Sequence, residues 1–270
     1  MKNIIAWTII ASFSISIIFF YLYRETNSVM VKEYTIIMKN LPPEFEGFTI
    51  LHLTDLHSKR FGTNQQQLLE LINKQQFDLI AITGDLVQRH EPEVAPADEL
   101  LVGLNSSDIY YVRGNHEIWA GYSELEDILN KNGVTILNNR SVKLQVENDF
   151  IQLAGVDDPS LGMARLDSAL AGLTEDAPVI LLAHSPAIFD EAVDKNIELI
   201  LVGHTHGGQI RLPFLGAFYI PGQGFFPEYD YGIFSSKNTT MLINAGLGES
   251  GLPLRINMKP EIVIITLAGQ

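Results

Sequence analysis

The sequence predicts an α/β protein in which two packed mixed β-sheets are flanked by helices and preceded by an N-terminal transmembrane helix. Three observations predict this fold class. The chain begins with a long uncharged apolar run, continues with alternating strand-like and helix-like segments, and ends with consecutive strand-like segments. Alternation followed by runs of strands is typical of layered α/β folds with more than one sheet.

The first element is a run of 20 residues at 4–23 without a charged side chain. That length spans a hydrocarbon core of roughly 30 Å as a helix. Trp7 lies near one end and Tyr21 and Tyr23 at the other, where aromatic rings prefer the membrane interface. We expect residues 1–24 to be an uncleaved single-pass membrane anchor, with a cleaved signal peptide or a buried helix as alternatives. The flanking positive charges are too few to decide which side of the membrane the domain occupies.

Residues 25–44 are expected to form a linker and a strand that enters the domain, which leaves 45–270 as one domain. The first part of this domain alternates short apolar runs with segments of helical periodicity. In chain order we expect strand 48–53, helix 64–76, strand 78–83, helix 92–104, strand 109–112 and helix 122–132. The later part is strand-rich, with one helix near Pro186. Its strands are expected at 134–137, 142–146, 150–154, 179–183, 198–202, 217–220, 240–244 and 262–267.

Composition excludes some classes of site. The chain has 270 residues, no cysteine and a formal net charge of −14. Without cysteine, disulfides and thiolate metal sites are impossible, so any metal ion must be held by nitrogen and oxygen. The acidic balance makes nucleic acid an unlikely partner, because that binding needs basic surface to displace counterions. No polybasic patch is present for anionic lipid heads.

Polar side chains follow five predicted strands at the points where the strands end. In α/β sheets such ends form the ligand-binding edge. Five of the seven histidines fall in these motifs. Each motif alone has an ordinary explanation as a turn or a packed residue, but the ordered set indicates a metal site. The residues are Asp55, His57, Asp85, Asn115, His184, His204 and His206.

The ordered motifs D-x-H, GD, GNHE, H and GHTH resemble the calcineurin-like metallophosphoesterase family over about residues 48–267. The segments GHTHGGQIRLP at 203–213 and NAGLGESGLPLR at 244–255 are similar to a bacterial branch that is typically anchored or exported by one N-terminal segment. The resemblance implies the α/β sandwich of that family and hydrolysis of a phosphate ester at a two-metal centre.

The resemblance also implies two ligand sets that share Asp85. One divalent cation would be held by Asp55, His57, Asp85 and His206, and the other by Asp85, Asn115, His184 and His204. Nitrogen and oxygen ligands suit Mn²⁺, Fe or Zn²⁺. Two ions about 3.5–4 Å apart clamp the attacking and leaving oxygens of an in-line displacement, and a metal-bridging hydroxide is the implied nucleophile.

Four further residues are candidates for roles around the metals. His116 is expected to stabilise the transition state and protonate the leaving group, and Glu117 to orient it by accepting from its other ring nitrogen. Arg113 and Arg255 are candidate substrate contacts, with an ordinary salt bridge as the alternative for each.

Other features receive structural interpretations. We expect His52 to be a packed or hydrogen-bonded strand residue, His90 to lie in an exposed loop, and Asp157–Asp158 to form a turn, with a substrate-side loop as the alternative. The aromatic segment 213–231 is expected to pack over the domain, and the alternative is an apolar rim for lipid.

The sequence thus predicts a membrane-anchored, metal-dependent phosphoric ester hydrolase. The anchor makes a lipid-linked phosphate a candidate substrate beside small phosphorylated molecules, and relatives of this branch suggest a UDP-2,3-diacylglucosamine-type pyrophosphatase as one alternative. A non-enzymatic metal-binding scaffold is the alternative from another class, although no ligand of the motif set is missing. A nuclease is disfavoured by the acidic charge.

Overall fold

Two six-stranded sheets carry the fold of this computed structural model, which describes residues 2–90, 92–106, 108–174 and 177–270. Met1 of the predicted anchor lies outside the described residues. In spatial order the first sheet contains β1 (Met30–Met38), β16 (Glu261–Gly269), β2 (Thr49–Leu53), β3 (Leu79–Ile82), β4 (Ile109–Tyr111) and β5 (Thr135–Ile136). The second contains β14 (Gly232–Ser236), β15 (Thr239–Ile243), β9 (Leu199–Val202), β8 (Val179–Leu182), β7 (Asp149–Gly155) and β6 (Arg140–Val146).

Both sheets are mixed, as predicted. In the first sheet β2 to β5 are parallel and β16 runs antiparallel to β2. In the second sheet β7, β8, β9 and β15 are parallel, while β6 and β14 form antiparallel edges. Two short hairpins lie outside the sheets: β10 (Arg211–Leu212) with β11 (Gly216–Ala217), and β12 (Tyr219–Ile220) with β13 (Gly224–Phe225).

The α-helices of the described residues are α1 (Lys2–Asn27), α2 (Gln66–Ile72), α3 (Ala95–Gly103), α4 (Asn115–Ala120), α5 (Ser123–Lys131), α6 (Leu166–Leu170) and α7 (Phe189–Asp194). Of these, α2, α3, α5, α6 and α7 cover the outer faces of the sheets, whereas α1 covers neither sheet. One apolar layer between the sheets includes Ile50, Leu153 and Leu201. A second layer lies under α2, α3 and α5, and a third under α6 and α7. Burying apolar faces on both sides of each sheet explains why its strands are continuous apolar runs.

Strand β1 lies within 25–44, where a linker and an entry strand are expected, and it pairs in parallel with β16 over nine residues. Other segments differ from the prediction. Helices α4 and α6 and strand β14 were not predicted. The predicted strand at 217–220 is wrong as a sheet strand, because it is divided between the two hairpins.

Helix α1 is long and apolar enough to cross a membrane, and the side chains of its apolar run are exposed. Its last turns contact the domain. Tyr21 Oη donates to Asn257 Oδ1 at 2.8 Å, and Lys59 Nζ donates to the carbonyl of Thr26 at 2.7 Å. The backbone N–H of Arg255 donates to Thr26 Oγ1 at 3.0 Å. The C-terminal end of α1 is therefore hydrogen-bonded to the domain.

Candidate metal centre

All seven predicted ligands lie at one edge of the two sheets, in the segments that directly follow parallel strands. Backbone hydrogen bonds hold neighbouring loops together beyond the strands: Asp55 N donates to Gly84 O at 3.0 Å, and Gly203 N donates to His184 O at 3.0 Å. The loops after β2, β3 and β4 come from the first sheet and those after β8 and β9 from the second. They carry Asp55, His57, Asp85, Asn115, His184, His204 and His206.

One group of ligand atoms surrounds Oδ1 of Asp55. His57 Nε2 lies 3.5 Å and His206 Nε2 3.3 Å from this oxygen, and the two nitrogens are 3.0 Å apart. Asp85 Oδ2 lies 3.6 Å from His57 Nε2. These four side chains therefore enclose one small space.

A second group surrounds Nε2 of His184. This nitrogen lies 3.2 Å from Asp85 Oδ2, 3.1 Å from Asn115 Oδ1 and 3.1 Å from His204 Nδ1. Because Asp85 Oδ2 belongs to both groups, the two groups share one carboxylate oxygen.

In His184 and His206, the hydrogen bond of the ring nitrogen that faces away from the ligand groups determines the tautomer. His184 Nδ1 lies 2.7 Å from the carbonyl of Thr83, and His206 Nδ1 lies 3.1 Å from the carbonyl of Gly248. A carbonyl oxygen only accepts, so each Nδ1 donates, and the Nε2 of each ring is left to face its ligand group. Metal-binding histidines are commonly oriented by such a contact on the far nitrogen.

Backbone and side-chain donors hold one oxygen of each carboxylate and leave the other oxygen facing the ligand groups. Asp55 Oδ2 accepts from Thr54 Oγ1 at 2.8 Å and from the His204 backbone N–H at 3.0 Å. Asp85 Oδ1 accepts from the His116 backbone N–H at 2.8 Å. The other oxygens, Oδ1 of Asp55 and Oδ2 of Asp85, are the ones that face the ligand groups.

This arrangement fits bound divalent cations. Ligands about 2.0–2.2 Å from one ion lie roughly 3.0–3.5 Å from each other. The ligand atoms here are separated by 3.0–3.6 Å. Within the described residues, the buried Asp55 Oδ1 has no hydrogen-bond donor, which leaves it available to a cation. The nitrogen and oxygen donor set suits Mn²⁺, Fe or Zn²⁺.

The backbone is strained where it presents the ligands. Positive φ is uncommon outside glycine, and residues held there cost about 1–3 kcal/mol each. Such strain clusters at sites where a side chain must be aimed away from its natural direction. Five of the predicted ligand residues have positive φ: Asp55 (53°), His57 (49°), Asp85 (52°), His204 (69°) and His206 (52°).

The local charges favour ionised carboxylates at this edge. Burial acts to raise the pKa of Asp55, but His206, then His57 and His184, outweigh it and hold the pKa well below its usual range. The pKa of His206 lies well below its usual value because of burial. Burial acts to lower the pKa of His184, but the charge of Asp85 outweighs it and raises that pKa well above its usual value. Both carboxylates are therefore ionised, and a bound cation would replace the proton of His184.

His116 lies beside the shared carboxylate and outside the two ligand groups. Its Nδ1 accepts from the Arg89 backbone N–H at 3.0 Å, and its Nε2 is 3.9 Å from Asp85 Oδ2. Burial lowers the pKa of His116 to about 4, so the ring is neutral near pH 7. Because Nδ1 is an acceptor, the proton of the neutral ring is on Nε2, which faces the centre.

Glu117 does not orient His116, and that part of the prediction is wrong. Its carboxylate accepts from four backbone N–H groups, those of Asp85 (2.9 Å), Leu86 (2.5 Å), Val87 (3.3 Å) and Gly114 (2.9 Å). Burial, then the charge of Asp85, raises the pKa of Glu117 to about 7. Glu117 therefore connects the loop that carries Asp85 to the start of α4.

Arg113 lies near the centre with its guanidinium engaged. It forms a bidentate ion pair with Asp157 and lies 4.8 Å from the ring centroid of Tyr122. Its side chain is 19% exposed, so a substrate contact by Arg113 stays a prediction.

Arg255 is fully buried beneath the centre, which contradicts a direct substrate contact. Its Nη2 donates to the carbonyls of Ala245 (2.8 Å), Gly246 (3.2 Å) and Gly248 (2.5 Å). The carbonyl of Gly248 also accepts from His206 Nδ1. Arg255 therefore supports the loop whose carbonyl orients the predicted ligand His206.

The remaining interpretations concern residues outside the ligand groups. His52 is buried, with Nε2 2.8 Å from Thr83 Oγ1, as expected for a hydrogen-bonded strand residue. His90 is exposed. Asp158 forms a turn by accepting from Ser160 Oγ and from the Leu161 N–H.

Sequence reasoning missed Arg89 and Trp119, which lie beside His116. The Arg89 guanidinium is 4.9 Å from the Trp119 ring centroid, and the Trp119 ring is 5.5 Å from that of His116. Both side chains are exposed. Neither belongs to a motif, so only the fold brings them to this edge.

The two-sheet fold and this ligand set define a metal-dependent phosphoric ester hydrolase. The sequence model of the calcineurin-like phosphoesterase family matches residues 48–208, and the chain belongs to that family. The match confirms the resemblance seen in the motifs.

Two relatives illustrate the similarity. The chain is 32% identical over 255 residues to the uncharacterized metallophosphoesterase YkuE of Bacillus subtilis, covering 91% of this chain and 87% of the relative. It is 30% identical over 256 residues to a transmembrane protein with metallophosphoesterase domain of Danio rerio, covering 88% of this chain and 57% of that protein. The chain thus spans a little over half of the fish relative.

A solved structure shares the fold. A putative 5′-nucleotidase from Staphylococcus aureus, in complex with α-ketoglutarate, superposes with a TM-score of 0.51 at 12% identity. The superposition covers 82% of this chain and 54% of that chain. At this identity the likeness shows the fold alone.

Proposed function

We propose that this phosphoesterase is anchored in a membrane by α1 and holds two divalent cations that share Asp85. The observation that carries the proposal is the position of Asp85 Oδ2, which lies 3.6 Å from His57 Nε2 in one ligand group and 3.2 Å from His184 Nε2 in the other. One ligand set comprises Asp55, His57, Asp85 and His206, and the other Asp85, Asn115, His184 and His204.

When bound, a pair of divalent cations supplies positive charge that polarises a phosphate ester and lowers the pKa of water towards neutrality. The side chains supply orientation and a proton. His116 holds its proton on Nε2 because its Nδ1 accepts from Arg89 N. As a neutral ring it can donate a hydrogen bond from Nε2 to a phosphoryl oxygen. It can transfer a proton to the leaving group only as the imidazolium, a form that the negative charge of a bound phosphate ester favours. Arg113, with one side of its guanidinium held by Asp157, is proposed to contact the substrate.

We propose a lipid-linked phosphate ester or pyrophosphate as the substrate class. The support is the contact between α1 and the loops that carry the ligands. Thr26 bonds Arg255 and Lys59, and Arg255 bonds the carbonyl that orients His206. If α1 spans the bilayer, these contacts keep the centre close to the membrane surface, where the phosphate of a lipid-linked molecule lies.

The test uses the full chain in detergent micelles. Metal content is measured by elemental analysis, and turnover is measured with bis(p-nitrophenyl) phosphate before and after chelation. We expect Asp85→Asn to lose bound metal and at least about 100-fold of turnover, since even partners outside the ligand set cost 10–100-fold. Asp127→Asn, at an exposed position of α5, is the matched control and should retain both.

Undiminished turnover in Asp85→Asn, or in chelated wild type, would overturn the mechanism. The substrate class is tested separately, by comparing a lipid-linked diphosphate with its water-soluble headgroup analogue. Equal kcat/KM for both would overturn the lipid-linked assignment and leave the phosphoesterase mechanism standing.

A further inference from the structure

An exposed apolar surface lies beside the centre, where a loop packed over the domain was expected. Residues 212–227 contain no charged side chain. Phe214 is completely exposed, and Leu215 and Phe225 are 64% and 65% exposed. We call this the aromatic surface; it comprises Leu212, Phe214, Leu215, Phe218, Tyr219, Phe225 and Phe226. Contiguous exposed apolar patches mark sites of protein or membrane contact.

The aromatic surface is held together by its own rings and hairpins. Phe218 lies 5.3 Å from Phe225 and 5.9 Å from Phe226 between ring centroids, and Tyr219 lies 5.1 Å from Phe225. Phe214 is at the turn of the β10–β11 hairpin. The rings are thus presented outward by a defined backbone.

The base of the first hairpin is tied to the domain by Arg211. Its Nη1 lies 2.8 Å from Asp230 Oδ2 and donates to the carbonyl of Gly207 at 3.0 Å. Gly207 directly follows the predicted ligand His206. The aromatic surface and the candidate metal centre are therefore connected through a few residues of one loop.

The same hairpin is hydrogen-bonded to α1 through Asn257. Tyr21 Oη donates to Asn257 Oδ1 at 2.8 Å, and Asn257 Nδ2 donates to the carbonyl of Arg211 at 3.1 Å. Tyr21 lies within the apolar run 4–23, two residues before its end, which is about 3 Å along a helix. If α1 crosses a membrane, Asn257 and the base of the hairpin lie at the bilayer boundary.

We propose that the aromatic surface inserts into the interfacial layer of the bilayer that α1 crosses. This inference rests on the membrane anchoring proposed above. Phenylalanine and leucine partition into the boundary between headgroups and acyl chains, and tyrosine keeps its hydroxyl at the wet side. The absence of charge from 212–227, together with the net charge of −14, means that apolar contact drives insertion and anionic lipid does not.

The consequence is a fixed orientation of the catalytic domain. With α1 as its single attachment, the domain could tilt relative to the membrane. The helix and the aromatic surface together would attach the domain to the membrane at two points. Both are joined to the loops that hold His206, through Arg255 and Arg211 respectively. The centre would then stay at a constant height above the headgroups.

The natural absence of cysteine allows the test in the full chain. Phe214→Cys and Phe225→Cys are labelled with an environment-sensitive nitrobenzoxadiazole and reconstituted into phosphatidylcholine vesicles. The matched control is Asn238→Cys, an exposed turn position where β15 begins, because the candidate centre lies beyond the other end of that strand. Flotation with the vesicles reports anchoring by α1 independently of the label.

We expect blue-shifted emission and strong quenching by doxyl-labelled lipid at 214 and 225, severalfold greater than at 238, with the reverse order for quenching by iodide. The same result is expected with and without phosphatidylserine. Floating protein with water-exposed probes at 214 and 225 would overturn the insertion and leave the anchor standing. Labels at 214 and 225 could instead be protected from iodide only at high protein density and remain unquenched by doxyl lipid. That result would mean that the aromatic surface binds a second copy of the chain, and it would also overturn the insertion.

Discussion

The backbone N–H of His116 donates to Oδ1 of Asp85 at 2.8 Å, while His116 Nε2 lies 3.9 Å from Oδ2 of the same carboxylate. One peptide group thus sets the distance between the predicted proton donor and the oxygen that both ligand groups share. His116 is therefore placed by its own backbone as well as by the Arg89 N–H on its ring, and it need not bind a metal to be in position.

His116→Asn is expected to lower kcat by roughly 10²–10⁴-fold, the range for a lost general acid. Bound metal should stay at the wild-type level, because His116 is outside both ligand sets. The loss should be larger for an alkyl phosphodiester than for a p-nitrophenyl diester, since nitrophenolate leaves without a proton. Equal losses for the two substrates, or loss of metal, would contradict the assignment.

Gly203→Ala should displace Asp55 without changing any ligand. A Cβ at this position would collide with Asp55 Oδ2 and with Thr54 Oγ1, both of them buried. We expect bound metal and turnover to fall together, as measured by elemental analysis and by diester hydrolysis. Gly47→Ala is the control, because a Cβ at Gly47 meets no atom within 4 Å, although its positive φ (79°) makes the substitution strained. We expect Gly47→Ala to lose stability but to keep its metal, and metal retained in Gly203→Ala as well would contradict the predicted displacement of Asp55.

Arg255→Met distinguishes a positioning role from a substrate contact. The change leaves the buried carbonyls of Ala245, Gly246 and Gly248 without their shared donor. Removing one partner of a buried charged network costs about 3–5 kcal/mol, so we expect a lower free energy of unfolding and weaker metal retention. The control is Arg165→Met, which removes an exposed arginine that also donates to carbonyls. A raised KM with unchanged stability would restore Arg255 as a substrate contact.

The site residues that could be predicted from the sequence are those whose positions follow from the neighbouring residues in the chain. Asp55, His57 and Asp85 follow apolar runs that fold as buried strands, so their common edge follows from parallel pairing. The contacts of Glu117 and Arg255 could not be predicted in this way. Glu117 reaches a backbone 31 residues earlier, and Arg255 bonds Thr26 across 229 residues, so both depend on loop paths that only the packed sheets determine.

The short helix α4 and the exposure of the apolar side chains at 212–226 also could not be predicted from the sequence. Helix α4 starts at Asn115 itself, so the polar motif that marks a ligand conceals the start of a helix. The apolar composition of residues 212–226 does not distinguish a segment that packs onto the domain from one whose side chains are exposed. Their exposure follows from two hairpins that project from the sheets, and that geometry depends on contacts such as Arg211 with Asp230.

His52→Gln should remove an acid sensitivity of the fold. Burial lowers the pKa of His52 to about 3, its Nε2 meets Thr83 Oγ1, and its Nδ1 has no partner in the described residues. An unfolded histidine titrates near pH 6.5, so between about pH 3 and 6.5 the unfolded chain binds the extra proton. The contribution of His52 to the free energy of unfolding is therefore fully present above pH 6.5 and is lost as the pH falls through this window.

Between pH 7 and pH 5 the loss due to His52 amounts to about 2 kcal/mol in the free energy of unfolding. It is measured by urea unfolding of the full chain in detergent, with chelator at both pH values so that metal release does not contribute. His52→Gln keeps a hydrogen-bonding group near Thr83 and should lose about 2 kcal/mol less than wild type. His90→Gln, in an exposed loop, should behave as wild type. An equal loss in wild type and His52→Gln would mean that the acid sensitivity arises at other groups.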